Sequence, residues 1–402
     1  MEDELKDRKK KNPCRLVESI RSGPESVRIP RDREYGVVLE GGGAKGAFQI
    51  GAWRALSEAG IRIRGISGVS VGALNGALMC MDDLDLAEKL WGTLGYSQIL
   101  GREPESGSLK ETAGEFRRLF RERGIDTAPL KRLIRETIDE QKIRTSPREL
   151  FVTTFSLSDM ELMKKDVKTM PEGEIADILM ASAYFPAFKQ ERLGGKFYMD
   201  GGGFNNVPAD VLLERGYKDI IIIRIYGPGL DSEKRLKIPE GTAIYHIAPR
   251  EDLGGVLEFG RKRIRKSLAL GYLEGCRLLY GLSGRRYYIQ APHSEAYYFD
   301  RMMTELDFYK SSLESILEPD AAASITRYRF CTETLFPRLA LRLGLAQGWD
   351  YRALYIALLE DLAATAGILR YHIYADSELS LEVKRSLQKS AAAPFIRRLV
   401  SE

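Results

Sequence analysis

The sequence predicts an α/β fold, with a mostly parallel central sheet covered by helices on both faces and a helical C-terminal region after it. Three observations predict it. Short apolar runs of strand length, such as Tyr35–Glu40, Ile61–Ile66, Glu149–Leu157 and Ile220–Ile225, alternate with stretches of helical periodicity, the pattern of strand–helix–strand units. The first two runs pass directly into Gly/Ser-rich turns and then into helices of small residues. Strand signals stop after about residue 295.

Taken in order, residues 1–34 are dense in both charge signs and poor in periodic apolar positions, so they read as a charged arm. Residues 35–294 carry the α/β pattern. Strand 35–40 runs into Gly41–Gly43 and a helix over 44–59. Strand 61–66 runs into Ser67-Gly68-Val69-Ser70 and a helix to Met81. Further strands are expected at 149–157, 161–167, 196–199, 220–225 and 242–247, with helices at 174–183 and 208–215 between them. Residues 295–402 read as an all-helical region, with apolar stretches such as Tyr351–Ala366.

Composition narrows the function classes. The chain has 402 residues, 44% of them hydrophobic, and a net charge of +4. That is long enough for one large core plus a smaller unit, and too mildly basic to argue for nucleic acid. Cys14, Cys80, Cys276 and Cys331 lie far apart, without disulfide or metal spacing, which suits reduced thiols and the cytoplasm. The charged start is followed by no apolar h-region, so no signal peptide is expected. The apolar stretch Ala353–Leu369 is broken by Glu360 and Asp361, which argues against a membrane span. No acidic cluster suggests calcium, and neither a metal nor a cofactor is expected.

Three segments carry chemistry. Gly68-Val69-Ser70-Val71-Gly72 lies between a strand and a helix. There the serine sits on a sharp turn above the sheet edge, with glycines removing flanking clashes and a helix N-terminus behind it. Gly41-Gly42-Gly43-Ala44-Lys45-Gly46 also follows a strand and opens a helix. A dinucleotide fingerprint would need an acid at the end of the next strand, and that strand ends in Ser67-Gly68-Val69-Ser70. A Walker loop fails on glycine spacing and on the missing Ser/Thr. The remaining reading is a nest of backbone N–H groups from Gly42, Gly43 and Ala44, aimed at a carbonyl oxygen that becomes negative, with Lys45 adding positive charge. The third is Asp200-Gly201-Gly202 at the end of a short strand, an aspartate open to approach.

Together these segments resemble the patatin-like phospholipase family: a glycine-rich loop with a basic residue, then G-x-S-x-G, then D-G-G. The block Met180–Phe188 and Asn205-Asn206-Val207-Pro208 are similar to the family's surroundings of the aspartate. The resemblance spans roughly residues 35–291, and Glu40 stands where relatives often carry aspartate, a departure expected to have little consequence. It implies a three-layer α/β/α sandwich and an acyl hydrolase of phospholipids, lysophospholipids or glycerides. It also implies a Ser70–Asp200 dyad in which Ser70 attacks the ester and Asp200 takes its proton. Gly42, Gly43 and Ala44 then bind the oxyanion, supported by Gly41, Lys45, Gly46, Gly68, Gly72, Gly201 and Gly202. A carboxylate is a weak base for a hydroxyl, so it must be partly desolvated. Two alternatives remain: a catalytically silent lipid-binding scaffold, and a Ser–His–Asp esterase using His293, which follows Pro292 in a loop. His246, within an apolar strand pattern, is expected to be a packed core residue.

For access to lipid, Leu253–Leu279 places Leu253, Leu257, Gly260, Ile264 and Leu268 on one helical face, with Arg261, Lys262 and Arg265 on others. Such a basic amphipathic helix can lie on a membrane surface or simply pack on the core. Leu335–Leu345 could bury on the core, form a homodimer interface or cover the active site.

Overall fold

The computed structural model describes residues 28–100, 125–313 and 324–389. These residues form two compact units, one ending at Leu279 and one beginning at Tyr280.

The first unit is built on β1 (Glu34–Leu39), β2 (Arg62–Val69), β3 (Glu149–Ser156), β4 (Glu161–Asp166), β5 (Tyr198–Asp200), β6 (Asp219–Ile223) and β7 (Ala243–Ile247). The sheet order is β4-β3-β2-β1-β6-β7, with β5 added beside β3. β3, β2, β1, β6 and β7 are parallel neighbours, while β4 and β5 run antiparallel to β3. The sequence-predicted parallel α/β architecture is therefore the observed one. Fully buried central strands such as Asp219-Ile220-Ile221-Ile222-Ile223 are the continuous apolar runs that a sheet covered on both faces requires. On one face Val38, Ile220 and Ile222 pack with Val211 and Leu212 of the helix Ala209–Glu214. On the other, the helix α2 (Val71–Cys80) presses Gly76 against Leu150 and Ile66.

β1 lies between β2, formed next in the chain, and β6, formed much later. The connections thus leave β1 to opposite sides, and the crevice beyond its carboxyl end is a topological switch point, the usual ligand position in such sheets.

Two expected elements of this unit differ. Helix α1 is Ala47–Glu58, preceded by a 3-10 turn over Gly43–Gly46. The segment from Leu253 is not one helix: its helix begins only at Arg261 and runs to Tyr280. Gly254 turns through φ +89 ahead of it, so Leu253, Leu257 and Gly260 share no helical face with Ile264. This helix packs on α1 at backbone distance. A Cβ on Gly51 would stand 1.9 Å from the Leu268 carbonyl oxygen, and one on Gly271 would stand 1.9 Å from that of Phe48. It is a core helix with an exposed basic first turn at Arg261 and Lys262. Among the described residues no helix is long and apolar enough to cross a membrane.

The second unit is mainly helical, through Glu295–Leu313, Phe336–Arg342, Tyr351–Thr365 and Asp376–Lys389. Its core gathers Tyr298, Phe336, Leu354, Ala363 and Leu379. It is not all-helical, because Tyr288–Gln290 pairs in parallel with Ile373–Ala375. Three-residue strands leave too short a period to be read from sequence.

Candidate active site

β2 ends at Val69, α2 begins at Val71, and Ser70 alone makes the turn, at φ 55 and ψ −127. A non-glycine residue held there stores about 1–3 kcal/mol of strain. The two glycines of the motif make the turn possible. A Cβ on Gly68 would lie 2.4 Å from the Gly72 carbonyl oxygen, and one on Gly72 would lie 2.2 Å from that of Leu39. The turn lifts Ser70 to the cavity floor, half-buried. Its own amide donates to the Ser182 hydroxyl at 2.8 Å.

The glycine loop leaves β1 beside it. Gly43 takes φ +56, where a side chain would also strike the Val256 carbonyl oxygen at 2.2 Å. The Gly41 amide donates to Asn206 O (3.3 Å), that of Ala44 to Val256 O (2.7 Å) and that of Lys45 to Gly42 O (3.3 Å). Among the described residues, no acceptor takes the amides of Gly42 and Gly43, and both residues line the same cavity as Ser70. Ala44 therefore differs from the sequence expectation, because the 253–260 loop packs on the nest and takes its N–H. The Gly46 carbonyl accepts from Asn75 Nδ2 at 3.0 Å. Lys45 Nζ donates to Tyr226 O at 2.8 Å, pinning the loop after β6.

Asp200 reaches Ser70 through the register of β3. Along one edge of β3, β2 pairs as far as Val69 opposite Thr153, and β5 takes over with Asp200 opposite Thr154. The residue after Val69 and the last residue of β5 thus meet where one strand leaves and another arrives. The Asp200 carboxylate faces the Ser70 hydroxyl, which pulls its pKa down, and accepts the Gly202 amide on Oδ1 at 2.8 Å. Gly201–Gly203 form the 3-10 turn that aims that amide back. Desolvation by the surrounding walls pushes the Asp200 pKa up to about 6, against the opposing pull of those two groups.

Sequence reasoning missed Glu40. It is buried, and its carboxylate accepts five donors: Ile225 N (2.6 Å), Tyr226 N (3.0 Å), Gly227 N (3.2 Å), Arg224 Nε (3.1 Å) and Asn206 Nδ2 (3.2 Å). It thereby locks the 224–227 segment against the start of the glycine loop and holds Tyr226 in a left-handed conformation, φ 48. Asn206 was read only as a neighbour of the aspartate. It clamps Gly41 twice, by its carbonyl and by Nδ2 to Gly41 O at 3.2 Å. The acid beside the glycines was the available signal for Glu40, but its partners lie about 185 residues away.

Ser70, Asp200 and the loop glycines open into a cavity of about 420 Å³. Its walls are apolar, with Leu74 and Leu78 from α2, Leu90, Trp91 and Leu94 from the next helix, and Leu130, Leu133 and Ile134 from the helix Ala128–Thr137. None of the three histidines lines it. His246 is exposed and hydrogen-bonded to Glu233, against the expectation of a packed core residue, because β7 is the edge strand and half of it faces solvent. His293 belongs to the second unit, with its ring 4.0 Å from that of Tyr297. Among the described residues no three His, Cys, Asp or Glu side chains gather as metal ligands.

A serine on a strained elbow, an aspartate against it and two free amides beside a glycine loop all lie within one stretch of known sequence pattern: residues 37–213 match the model described as patatin-like phospholipase. The match covers a little under half of the chain. Over 194 residues it is 30% identical to the Drosophila melanogaster neuropathy target esterase sws, covering 47% of this chain and 13% of that protein. Over 207 residues it is 26% identical to rat patatin-like phospholipase domain-containing protein 7, covering 50% of this chain and 14% of that protein. Both relatives are far longer than the chain. Among solved structures it is similar to VipD from Legionella pneumophila, with a TM-score of 0.41 and 13% identity over 95% of this chain and 96% of that one. The patatin-like span includes Ser70 and Asp200 but stops before Arg224 and the loop that Glu40 holds.

Proposed function

We propose that the patatin-like domain is a serine acyl hydrolase that cleaves fatty-acyl esters of phospholipids, lysophospholipids or glycerides through a Ser70–Asp200 dyad. The observation that carries this reading is the join on β3, which sets a hydroxyl against a desolvated carboxylate at the floor of an apolar cavity. Ser70 Oγ attacks the ester carbonyl, and its proton passes to Asp200. The carbonyl oxygen becomes an oxyanion between the Gly42 and Gly43 amides, where loss of one donor costs about 3 kcal/mol of transition-state stabilisation. The intermediate collapses, the alcohol leaves with the proton from Asp200, and the acyl group stays on Ser70. Water then gives a proton to Asp200 and attacks the acyl carbon. Fatty acid departs as Ser70 Oγ recovers the proton. With a pKa raised to about 6, Asp200 is still ionised at pH 7 yet is a stronger base than an ordinary carboxylate.

The approach is to a lipid surface. Five large apolar side chains are exposed on this unit among the described residues: Met160, Phe204, Tyr226, Leu230 and Ile238. Met160 tips the β3–β4 hairpin, Phe204 stacks on Phe155 (3.9 Å) beside the Asp200 turn, and Tyr226 and Leu230 flank the cavity-lining Pro228 and Gly229. Four of the five thus lie on segments that follow the strand ends near Ser70 and Asp200 or adjoin cavity-lining residues, which suits shallow insertion among lipid headgroups. Among the described residues Cys80, Cys276 and Cys331 are buried and outside any disulfide, in keeping with a cytoplasmic setting.

A fluorophosphonate probe tests the chemistry. It should label the wild type and fail to label Ser70→Ala; labelling that survives Ser70→Ala sinks the reading. Fatty-acid release across phospholipids, lysophospholipids and short p-nitrophenyl esters then separates the substrate classes. Release from none of them, with intact vesicle binding, would favour the scaffold alternative.

A further inference from the structure

We infer that Ser182 is a positioning residue: its side chain and the backbone beside it form a bracket that sets the spacing between the nucleophile and its base. The inference rests on the dyad reading, and its evidence is the hydrogen bonding around the join on β3.

Where β2 leaves β3, the Ser70 amide turns away from the ladder and would be left buried without a partner, at a cost of about 1–3 kcal/mol. The Ser182 hydroxyl fills the gap. It accepts Ser70 N–H at 2.8 Å and donates to the Thr153 carbonyl at 2.7 Å, so the ladder continues through one side-chain oxygen. Ser182 is fully buried at the end of the helix Ile175–Ser182. Two residues on, the Tyr184 carbonyl accepts the Asp200 amide at 3.0 Å. One residue before, the Ala181 carbonyl accepts the Thr154 hydroxyl at 2.9 Å. Within four residues, the chain therefore grips the backbone of Ser70, the backbone of Asp200 and the two β3 residues between which they meet. No other described segment bonds to the amides of both catalytic residues.

A hydroxyl is required here because only a group that accepts and donates at once can link an N–H to a carbonyl. Alanine would leave the Ser70 amide and the Thr153 carbonyl facing an empty site. The strained φ of Ser70 would then lose its restraint, and the Ser70–Asp200 contact would lengthen.

The test is a steady-state comparison of wild type, Ser182→Ala and Ser182→Thr on a soluble p-nitrophenyl ester, with full pH profiles and melting curves. Ser182→Ala should lower kcat by about 10- to 100-fold, the scale of a displaced reacting group, with KM within about twofold. Its acid limb should move to higher pH, because the Ser70 hydroxyl that holds the Asp200 pKa down has drawn back. Ser182→Thr keeps the hydroxyl and should recover most of kcat and the original limb. Thr154→Val, which removes the Ala181 tie, should move the limb the same way by a smaller amount, and it serves if Ser182→Ala does not fold. An active Ser182→Ala with an unmoved limb overturns the inference. So does a Ser182→Thr as impaired as Ser182→Ala. A wild type that neither turns over ester nor labels at Ser70 instead removes the hydrolase reading, a separate outcome.

Discussion

Carboxylates in the two units are held in contrasting ways, some saturated with donors and one left nearly bare. In the C-terminal unit, Glu360 accepts three consecutive amides, those of Arg285 (2.8 Å), Arg286 (2.7 Å) and Tyr287 (2.7 Å). Glu305 is met there by Arg301, Lys384 at 2.9 Å, Tyr355 and Ser380. In the first unit, Asp200 accepts the Gly202 amide and faces the Ser70 hydroxyl, the proposed nucleophile. A carboxylate saturated with donors is structural, because every lone pair is occupied and a proton gains little. One left short of donors in an apolar wall holds a proton readily, which is what a general base needs. Glu40 shows that both kinds occur within one site, a saturated acid about one loop away from the unsaturated one.

The largest effect should come from the unsaturated acid. Asp200→Asn should reduce kcat on a soluble ester by about 10²- to 10⁴-fold, the range for loss of a general base, and loss of less than tenfold would break the comparison. The same variant should melt higher than wild type at pH 7. A pKa raised in the folded state means that the native protein binds the proton more tightly than the unfolded chain does. The ionised carboxylate therefore costs stability, from nothing below the ordinary carboxylate range to its full value above about 6. Asn removes that cost.

Glu40→Gln should destabilise by up to about 3 kcal/mol, because the Ile225, Tyr226 and Gly227 amides lose a charged acceptor while Arg224 keeps Asp231 and Glu233, as read by urea unfolding. It should lower activity as well, since the glycine loop and the 224–227 segment lose their common anchor. Activity unchanged in a folded Glu40→Gln would show that the oxyanion amides are placed without it. Next in size, Glu360→Ala should cost about 1–3 kcal/mol for its orphaned amides and leave kcat/KM on a soluble ester unaltered. A fall in kcat/KM there would mean that the saturated acids are not purely structural. The smallest effect is a shape: log kcat/KM should fall with unit slope as pH drops through about 6, and a limb near 4 would place Asp200 among ordinary carboxylates.

Much of this was legible in the residues because it is local. Gly68-Val69-Ser70-Val71-Gly72 reads as an elbow from the turn it must make, and the structure shows the two backbone clashes that glycine avoids. Strand–helix alternation implied the parallel sheet. Where reading failed, distance or a shared period was the cause. The apolar positions from Leu253 matched a helical period across a glycine break, so loop and helix merged. The Ala44 amide looked equivalent to those of Gly42 and Gly43 until Val256, far along the chain, claimed it.

By itself the sequence determined the parallel α/β class, the Ser70 elbow and the glycine loop, since each depends on the backbone preferences of a few adjacent residues. Only the tertiary structure decided that Asp200 lies against Ser70, what holds the nest, and that Ser182 bonds the Ser70 amide to β3. These depend on strand register: β2 leaves β3 after Thr153 and β5 joins it at Thr154. That one-residue handover brings side chains 130 positions apart in the sequence face to face.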